Sequence, residues 1–173
     1  MALTRGPTPA SRPELEAALG ELSQPWSGGP YSEPARRLLA RHAARLGRAL
    51  ARFDELARAA AGGGPPVITH GEPHPGNIMR TGGRLLLIDW DTVGLALPER
   101  DLWMAAGDDA GAVGRYTELT GRPVSGAAMD LYRLRWSLDD IALAVRDFRA
   151  SHEQNEDSAL TWEALTEEIG EIG

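Results

Sequence analysis

Apolar residues recur at three- and four-residue intervals along most of this chain, and one short stretch breaks that rhythm. The longest periodic segment follows a Pro/Gly-rich loop at Gln24–Pro34 (QPWSGGPYSEP). Pro34 opens a predicted helix to Ala60, with Leu39, Leu46, Leu50, Phe53, Leu56 and Ala60 on one face and arginines largely on the other. His42 lies within it and reads as structural. Ahead of it, Ser11 and Glu14 have capping-box spacing before a stripe of Leu15, Ala18, Leu19 and Leu22. Residues 1–10 carry Gly and Pro without periodicity and read as a flexible end. The run Gly62-Gly63-Gly64-Pro65-Pro66 closes the long helix.

The pattern then changes. A short apolar run (Val67, Ile68) enters a polar loop with His70, Glu72, His74 and Asn77. A Thr81-Gly82-Gly83-Arg84 turn and a second apolar run, Leu85 to Ile88, follow and end on Asp89. Two short strands about a Gly-Gly turn predict a β-hairpin. Pro98-Glu99-Arg100 begins a helix over Asp101–Ala106, and another covers Ala112–Leu119 before Gly121-Arg122-Pro123. Leu131, Leu134, Leu138, Ile141, Val145 and Phe148 predict a long helix from about Ala127 to Ala150. Ser151–Asp157 is a polar loop, and Ser158–Ile169 an amphipathic helix with Leu160, Leu165 and Ile169 inward. The fold class is mainly α with a small β-hairpin (α+β), one domain over residues 11–173.

Composition sharpens this in three ways. No apolar run approaches the roughly 18–20 residues of a membrane span, and the first twelve residues lack a signal-peptide core. With no cysteine the chain has neither disulfides nor thiolate metal sites, as suits the cytoplasm. All 18 basic residues are arginine; there is no lysine. The net charge of −7 lies wholly from Asp130 onward, where eleven acids face four arginines; residues 1–129 balance, 14 against 14. Such a field repels nucleic acid and anionic membrane and favours a cationic partner; a solvated acidic helical tail is the other reading.

The polar residues about the hairpin carry the chemistry. Asn77 and Asp89 stand at its two ends, and an amide oxygen with a carboxylate suits Mg²⁺, whose shell is completed by water and phosphate oxygens. Glu72 is a carboxylate in the same loop, able to take a proton from a hydroxyl. A zinc site through His70 and His74 is disfavoured because Pro73 and Pro75 keep that pair off a helix. A bare Pro/Gly-rich turn with polar decoration is the plain alternative.

The segments His70-Gly71-Glu72-Pro73-His74-Pro75-Gly76-Asn77, Ile88-Asp89-Trp90-Asp91 and Glu99-Arg100-Asp101-Leu102-Trp103 together resemble the catalytic core of the aminoglycoside phosphotransferase family. That family has the protein-kinase-like fold and includes antibiotic and choline kinases. The resemblance implies that Asn77 and Asp89 hold the Mg²⁺ that bridges ATP phosphates. Glu72 stands where the family has its catalytic aspartate, one methylene further from the backbone. His70 would brace the loop, and Asp101 would steady it by hydrogen bonds. Asp91 would add a carboxylate near the metal or be structural; His74 would lie near the substrate hydroxyl or pack in the turn. The family holds cationic antibiotics through acids of its C-terminal helices, which here nominates Asp139, Asp140, Glu153, Glu156 and Asp157. Trp136 and Trp162 would stack on such a ligand or pack internally.

The same resemblance exposes a gap. No strand-rich segment or G-x-G-x-x-G precedes residue 67, and no lysine exists to pair the ATP phosphates. The expectation is the C-terminal, substrate-binding lobe of a longer phosphotransferase, without its nucleotide-binding N-terminal lobe and weak in ATP binding by itself. The competing expectation is a non-catalytic module that holds a cationic ligand or docks a partner.

Overall fold

The computed structural model describes residues 11–107 and 109–172, and the loose end expected over residues 1–10 lies outside them. Six helices dominate: α1 (Arg12–Gly20), α2 (Ser32–Ala60), α3 (Glu99–Ala106), α4 (Ala110–Thr120), α5 (Gly126–Arg149) and α6 (Glu156–Glu171). Four short strands accompany them: β1 (Val67–Thr69), β2 (Ile78–Thr81), β3 (Arg84–Leu87) and β4 (Gly94–Ala96). The chain divides into two compact units, and α2 and α5 each belong partly to both. No described helix is long and apolar enough to cross a membrane.

The helical unit contains residues 11–54 and 134–172. Its apolar core contains Leu15, Leu39, Leu46, Phe53, Leu138, Ile141, Val145, Phe148, Leu165 and Ile169, all essentially buried. The α2 and α5 stripes read from the sequence therefore face inward, with Leu134 only half-buried. Three details depart from expectation. Ser11 precedes α1 but makes no capping bond with its side chain. Pro13 removes one amide it would cap, and the Ser11 hydroxyl donates instead to the Asp139 carboxylate, a stronger charge-assisted acceptor. Leu160, expected inward, is 58% exposed; five residues separate it from Leu165, which on a helix is about 140° out of phase. Helix α6 begins before Ser158 because Asn155 caps it in a reciprocal box with Ser158.

Helix α2 starts at Ser32, two residues ahead of Pro34, which its first turn accommodates because no helical N–H is required there. In that turn Glu33 accepts hydrogen bonds from Arg36 at 2.6 and 2.7 Å and from Arg37 at 3.0 Å. Arg36 chiefly, and then Arg37, hold its carboxyl down to about 2 from 4.5. A depressed carboxyl stabilises the folded state fully above 4.5 and loses that contribution as pH falls through about 2. The melting temperatures of wild type and Glu33→Gln should accordingly differ most near neutrality and converge by about pH 2. A gap that persists at the acidic end would refute the assignment.

The second unit includes residues 55–133 and has a polar interior: Thr69, His70, Asn77, Glu99 and Arg100 are all buried. Its strands form two antiparallel pairs, not one. The expected hairpin is β2–β3, in the register Ile78↔Leu87 to Thr81↔Arg84. Gly82 and Gly83 both take positive φ, 53° and 73°, as a two-residue hairpin turn requires. The Val67–Ile68 run pairs instead with β4, a strand the sequence reading missed, in the register Val67↔Ala96 to Thr69↔Gly94. Residues 70–93 therefore leave and return between two paired strands. Helix α3 follows from Glu99, two residues ahead of the expected Asp101.

Candidate active site

The loop leaving β1 is organised by hydrogen bonds to its own backbone. The His70 ring nitrogen Nε2 lies 2.8 Å from the Ile88 carbonyl, which only accepts, and Nδ1 lies 3.2 Å from the Glu72 N–H, which only donates. His70 is thus a neutral imidazole protonated on Nε2. Neither nitrogen has a lone pair left for zinc or for base chemistry. The ring also meets the edge of Trp90 at 4.8 Å. It braces the loop against the far side of the hairpin.

Glu72 is fixed at both ends of its backbone. Its N–H donates to His70, and its carbonyl accepts the Asn77 amide Nδ2–H at 2.9 Å. The residue is half-buried, and its carboxylate makes no hydrogen bond among the described residues. Because Nδ2 is committed to Glu72, Asn77 has its Oδ1 available as a ligand. His74 starts the one-turn 3₁₀ helix Pro75–Asn77 by accepting the Gly76 N–H at 3.1 Å.

Asp89 follows the end of the same hairpin. Ile88 N–H donates to the Asn77 carbonyl at 2.9 Å, extending the hairpin ladder by one pair beyond Ile78↔Leu87. Facing residues lie about 5 Å apart, and one more step adds about 3.8 Å, so the Asn77 and Asp89 Cα atoms are within about 9 Å. Two short side chains and two metal–oxygen bonds of about 2.1 Å can span that. Regular alternation would send Asp89 to the opposite face from Ile88. Asp89 is, however, the one described non-glycine residue with positive φ, at 62°, which breaks the alternation. It is exposed and, among the described residues, its carboxylate has no hydrogen-bond partner, as is true of Asp91. Among the described residues no three His, Cys, Asp or Glu side chains form a metal cluster. One carboxylate with an amide oxygen is instead the sparse donor set that Mg²⁺ accepts.

The first turn of α3 secures this frame. Asp101 accepts the N–H groups of His70 and Gly71, both at 2.7 Å. Arg100 donates to the Thr69 hydroxyl at 2.7 Å and to the Thr92 carbonyl at 2.9 Å. Glu99 accepts the Ser125 N–H at 2.8 Å. Gly71 has φ 103° and lies so close beneath Arg100 and Thr92 that a Cβ would overlap both. Above it the hairpin is apolar yet open: Met79 is 49% exposed and Leu85 59%.

Sequence comparison supports what this geometry suggests. A sequence model of the phosphotransferase enzyme family, APH, matches residues 5–134, or 130 of 173 residues. The chain belongs to this phosphotransferase family. One curated relative, protein StrN of Streptomyces griseus, is 34% identical over 152 residues, covering 84% of this chain and 43% of its own length. Among solved structures, spectinomycin phosphotransferase APH(9)-Ia in complex with ADP and spectinomycin superimposes with a TM-score of 0.74 at 19% identity. Its AMP-bound complex does so with the same score at 18%. These likenesses establish the kinase-like fold over 96% of this chain, which spans about half of the solved enzyme and less than half of StrN.

The acids that the phosphotransferase resemblance nominated for the acceptor separate into distinct settings within the helical unit. Glu153 and Asp157 line a pocket of about 480 Å³ with Asp147, Phe148 and His152. Asp140 lines a neighbouring pocket of about 270 Å³ with Asp147, Glu167 and Glu168. Asp139 is engaged by Ser11 and, at 3.4 Å, by Arg135, and Glu156 is exposed in the first turn of α6. Trp162 belongs to an aromatic cluster, stacked on Tyr31 at 5.7 Å and edge-on to Phe148 at 6.2 Å; Trp136 is half-buried. Sequence reasoning missed Arg100, Thr69, Thr92 and Asp147. Arg100 sat inside the quoted Glu99-Arg100-Asp101, but nothing in its type marks a partner 31 residues upstream.

Proposed function

We propose that this chain is the catalytic lobe of an ATP-dependent phosphotransferase acting on a hydroxyl of a small, cationic molecule, of which an aminoglycoside is one candidate, in the cytoplasm. The observation that supports it most is the ladder bond from Ile88 N–H to the Asn77 carbonyl, which puts Asn77 opposite the residue next to the exposed Asp89. In this reading Asn77 and Asp89 hold Mg²⁺, which when bound neutralises the charge of the transferring phosphate. Glu72 orients the acceptor hydroxyl and takes its proton as the new oxygen–phosphorus bond forms. The bond from the γ-phosphorus to its bridging oxygen breaks, and ADP leaves. His70 and Asp101 keep the Glu72 peptide fixed while the charge moves, so the base waits in place. The open apolar hairpin is the surface that a nucleotide-binding N-terminal lobe would cover. Glu153 and Asp157, with Asp147, offer carboxylates to the amino groups of the acceptor.

Titration of this chain with Mg-ATP tests the reading. The expected result is a weak site with a dissociation constant of order 1 mM, about −4 kcal/mol, that requires Mg²⁺ and is lost in Asn77→Ala. Binding that ignores both the metal and Asn77 would refute it. Where turnover is measurable, Glu72→Ala should lower kcat by about 10²- to 10⁴-fold, and Glu72→Asp should retain part of it. An unaffected alanine variant removes Glu72 from the role of base.

One observation favours a second reading. Glutamate stands at residue 72 in place of the family's aspartate, which suits a lobe that binds a cationic ligand without transferring phosphate. Loss of Mg²⁺-dependent nucleotide binding, with binding of an amino sugar retained, is its signature.

A further inference from the structure

We propose that Arg100 is a positioning residue that sets the separation between the Glu72 segment and the Asp89 segment. This rests on the phosphotransferase reading for its purpose, though not for its geometry. The residues nominated as base and metal ligands, Glu72, Asn77 and Asp89, lie on the excursion between β1 and β4. Arg100 grips that excursion where it departs and where it returns: one guanidinium nitrogen donates to the Thr69 hydroxyl, another to the Thr92 carbonyl. Both threonines pass the constraint on. The Thr69 hydroxyl donates to the Gly94 carbonyl at 2.9 Å, and the Thr92 hydroxyl donates to the His70 carbonyl at 2.8 Å. The guanidinium, Thr92 and the His70–Gly71 peptide thus form one hydrogen-bonded wedge directly behind Glu72.

Two features argue for position over mere stability. Arg100 is only 6% exposed, and burying a cation is costly enough that an apolar side chain of like volume commonly stabilises as well or better. Further, a guanidinium is a planar fork whose donors keep a fixed angle, so it dictates the distance between two acceptors. An ammonium on a flexible stem does not. The missing Cβ at Gly71 is the counterpart on the loop side, since only glycine lets the fork approach that backbone. Asp101, the next residue, fixes the loop through its N–H groups; Arg100 fixes the returning strand to the same helical turn.

Amide hydrogen exchange on the full chain, with Arg100→Lys and Thr69→Val, tests this without nucleotide or metal. The protected N–H groups of His70, Gly71 and Val93 report the wedge; those of Leu131 and Tyr132, in the part of α5 that belongs to the same unit, report opening of that unit as a whole. In both variants the first three should exchange about tenfold faster or more while the α5 amides change less than about twofold. Equal acceleration everywhere would reduce Arg100 to a structural residue and overturn the proposal, as would no acceleration in either variant. If Arg100→Lys does not fold, Thr69→Val decides alone, because valine suits a strand and removes only the hydroxyl. Mn²⁺ line broadening at Asn77 and Asp89 adds the functional arm, with affinity expected to fall about tenfold in the variants. A wild-type chain that shows no broadening would sink the phosphotransferase reading while the exchange comparison still judges Arg100.

Discussion

Replacing Asp101 by alanine will lower the melting temperature of the protein by roughly 6–24 °C. The carboxylate accepts two backbone N–H groups, from His70 and Gly71, at 2.7 Å each. Hydrogen bonds to a charged acceptor contribute about 1.5–3 kcal/mol apiece, so losing both costs about 3–6 kcal/mol. In a chain of this length each kcal/mol shifts melting by about 2–4 °C. The two amides are also left beside a buried histidine with little water to replace the acceptor, which places the loss toward the upper end. Asp101→Asn keeps one acceptor oxygen and should lose about half as much. Thermal melts followed by circular dichroism check both, and an alanine variant that melts within about 2 °C of wild type would show that neither bond matters.

Asp89 should behave in the opposite manner. Asp89→Gly is expected to leave stability within about 1 kcal/mol, because relief of the left-handed conformation offsets the added freedom of the unfolded chain. Its carboxylate has no hydrogen-bond partner among the described residues to lose. Divalent ion binding should nevertheless weaken by at least about 100-fold, since groups one shell further from a metal already account for 10- to 100-fold. Mn²⁺ titration by electron paramagnetic resonance alongside a denaturant melt separates the two quantities. Retained Mn²⁺ affinity in Asp89→Gly would remove this residue from the metal site. The pairing of Asp101 and Asp89 is informative: one carboxylate stabilises the loop and touches no ligand, the other is held in a strained conformation that stability alone does not explain.

Legibility in the sequence followed the range of the interactions concerned. Helices α2 and α5 were readable because burial of one face repeats every three to four residues, and Phe53, Leu138 and Val145 obey that rule without reference to any partner. The β2–β3 hairpin was readable because two adjacent glycines at positive φ are a local demand. Leu160 misled because its hydrophobicity matched a stripe that its phase did not. Ser11 misled because a carboxylate 128 residues away competes with the local amide. The β1–β4 pair escaped notice, since Val67–Thr69 and Gly94–Ala96 are each too short to declare a partner 25 residues off.

By itself, then, the order of residues determined the family, through its motifs at residues 70–77, 88–91 and 99–103, and the helical frame, through burial that repeats within a few turns of chain; it nominated Glu72, Asn77 and Asp89. Tertiary structure alone decided how those residues are held. The left-handed turn at Asp89, the lone tautomer of His70 and the fork of Arg100 between Thr69 and Thr92 each depend on acceptors that folding brings together. A hydrogen bond is decided by distance and angle in space, and separation along the chain has no bearing on either.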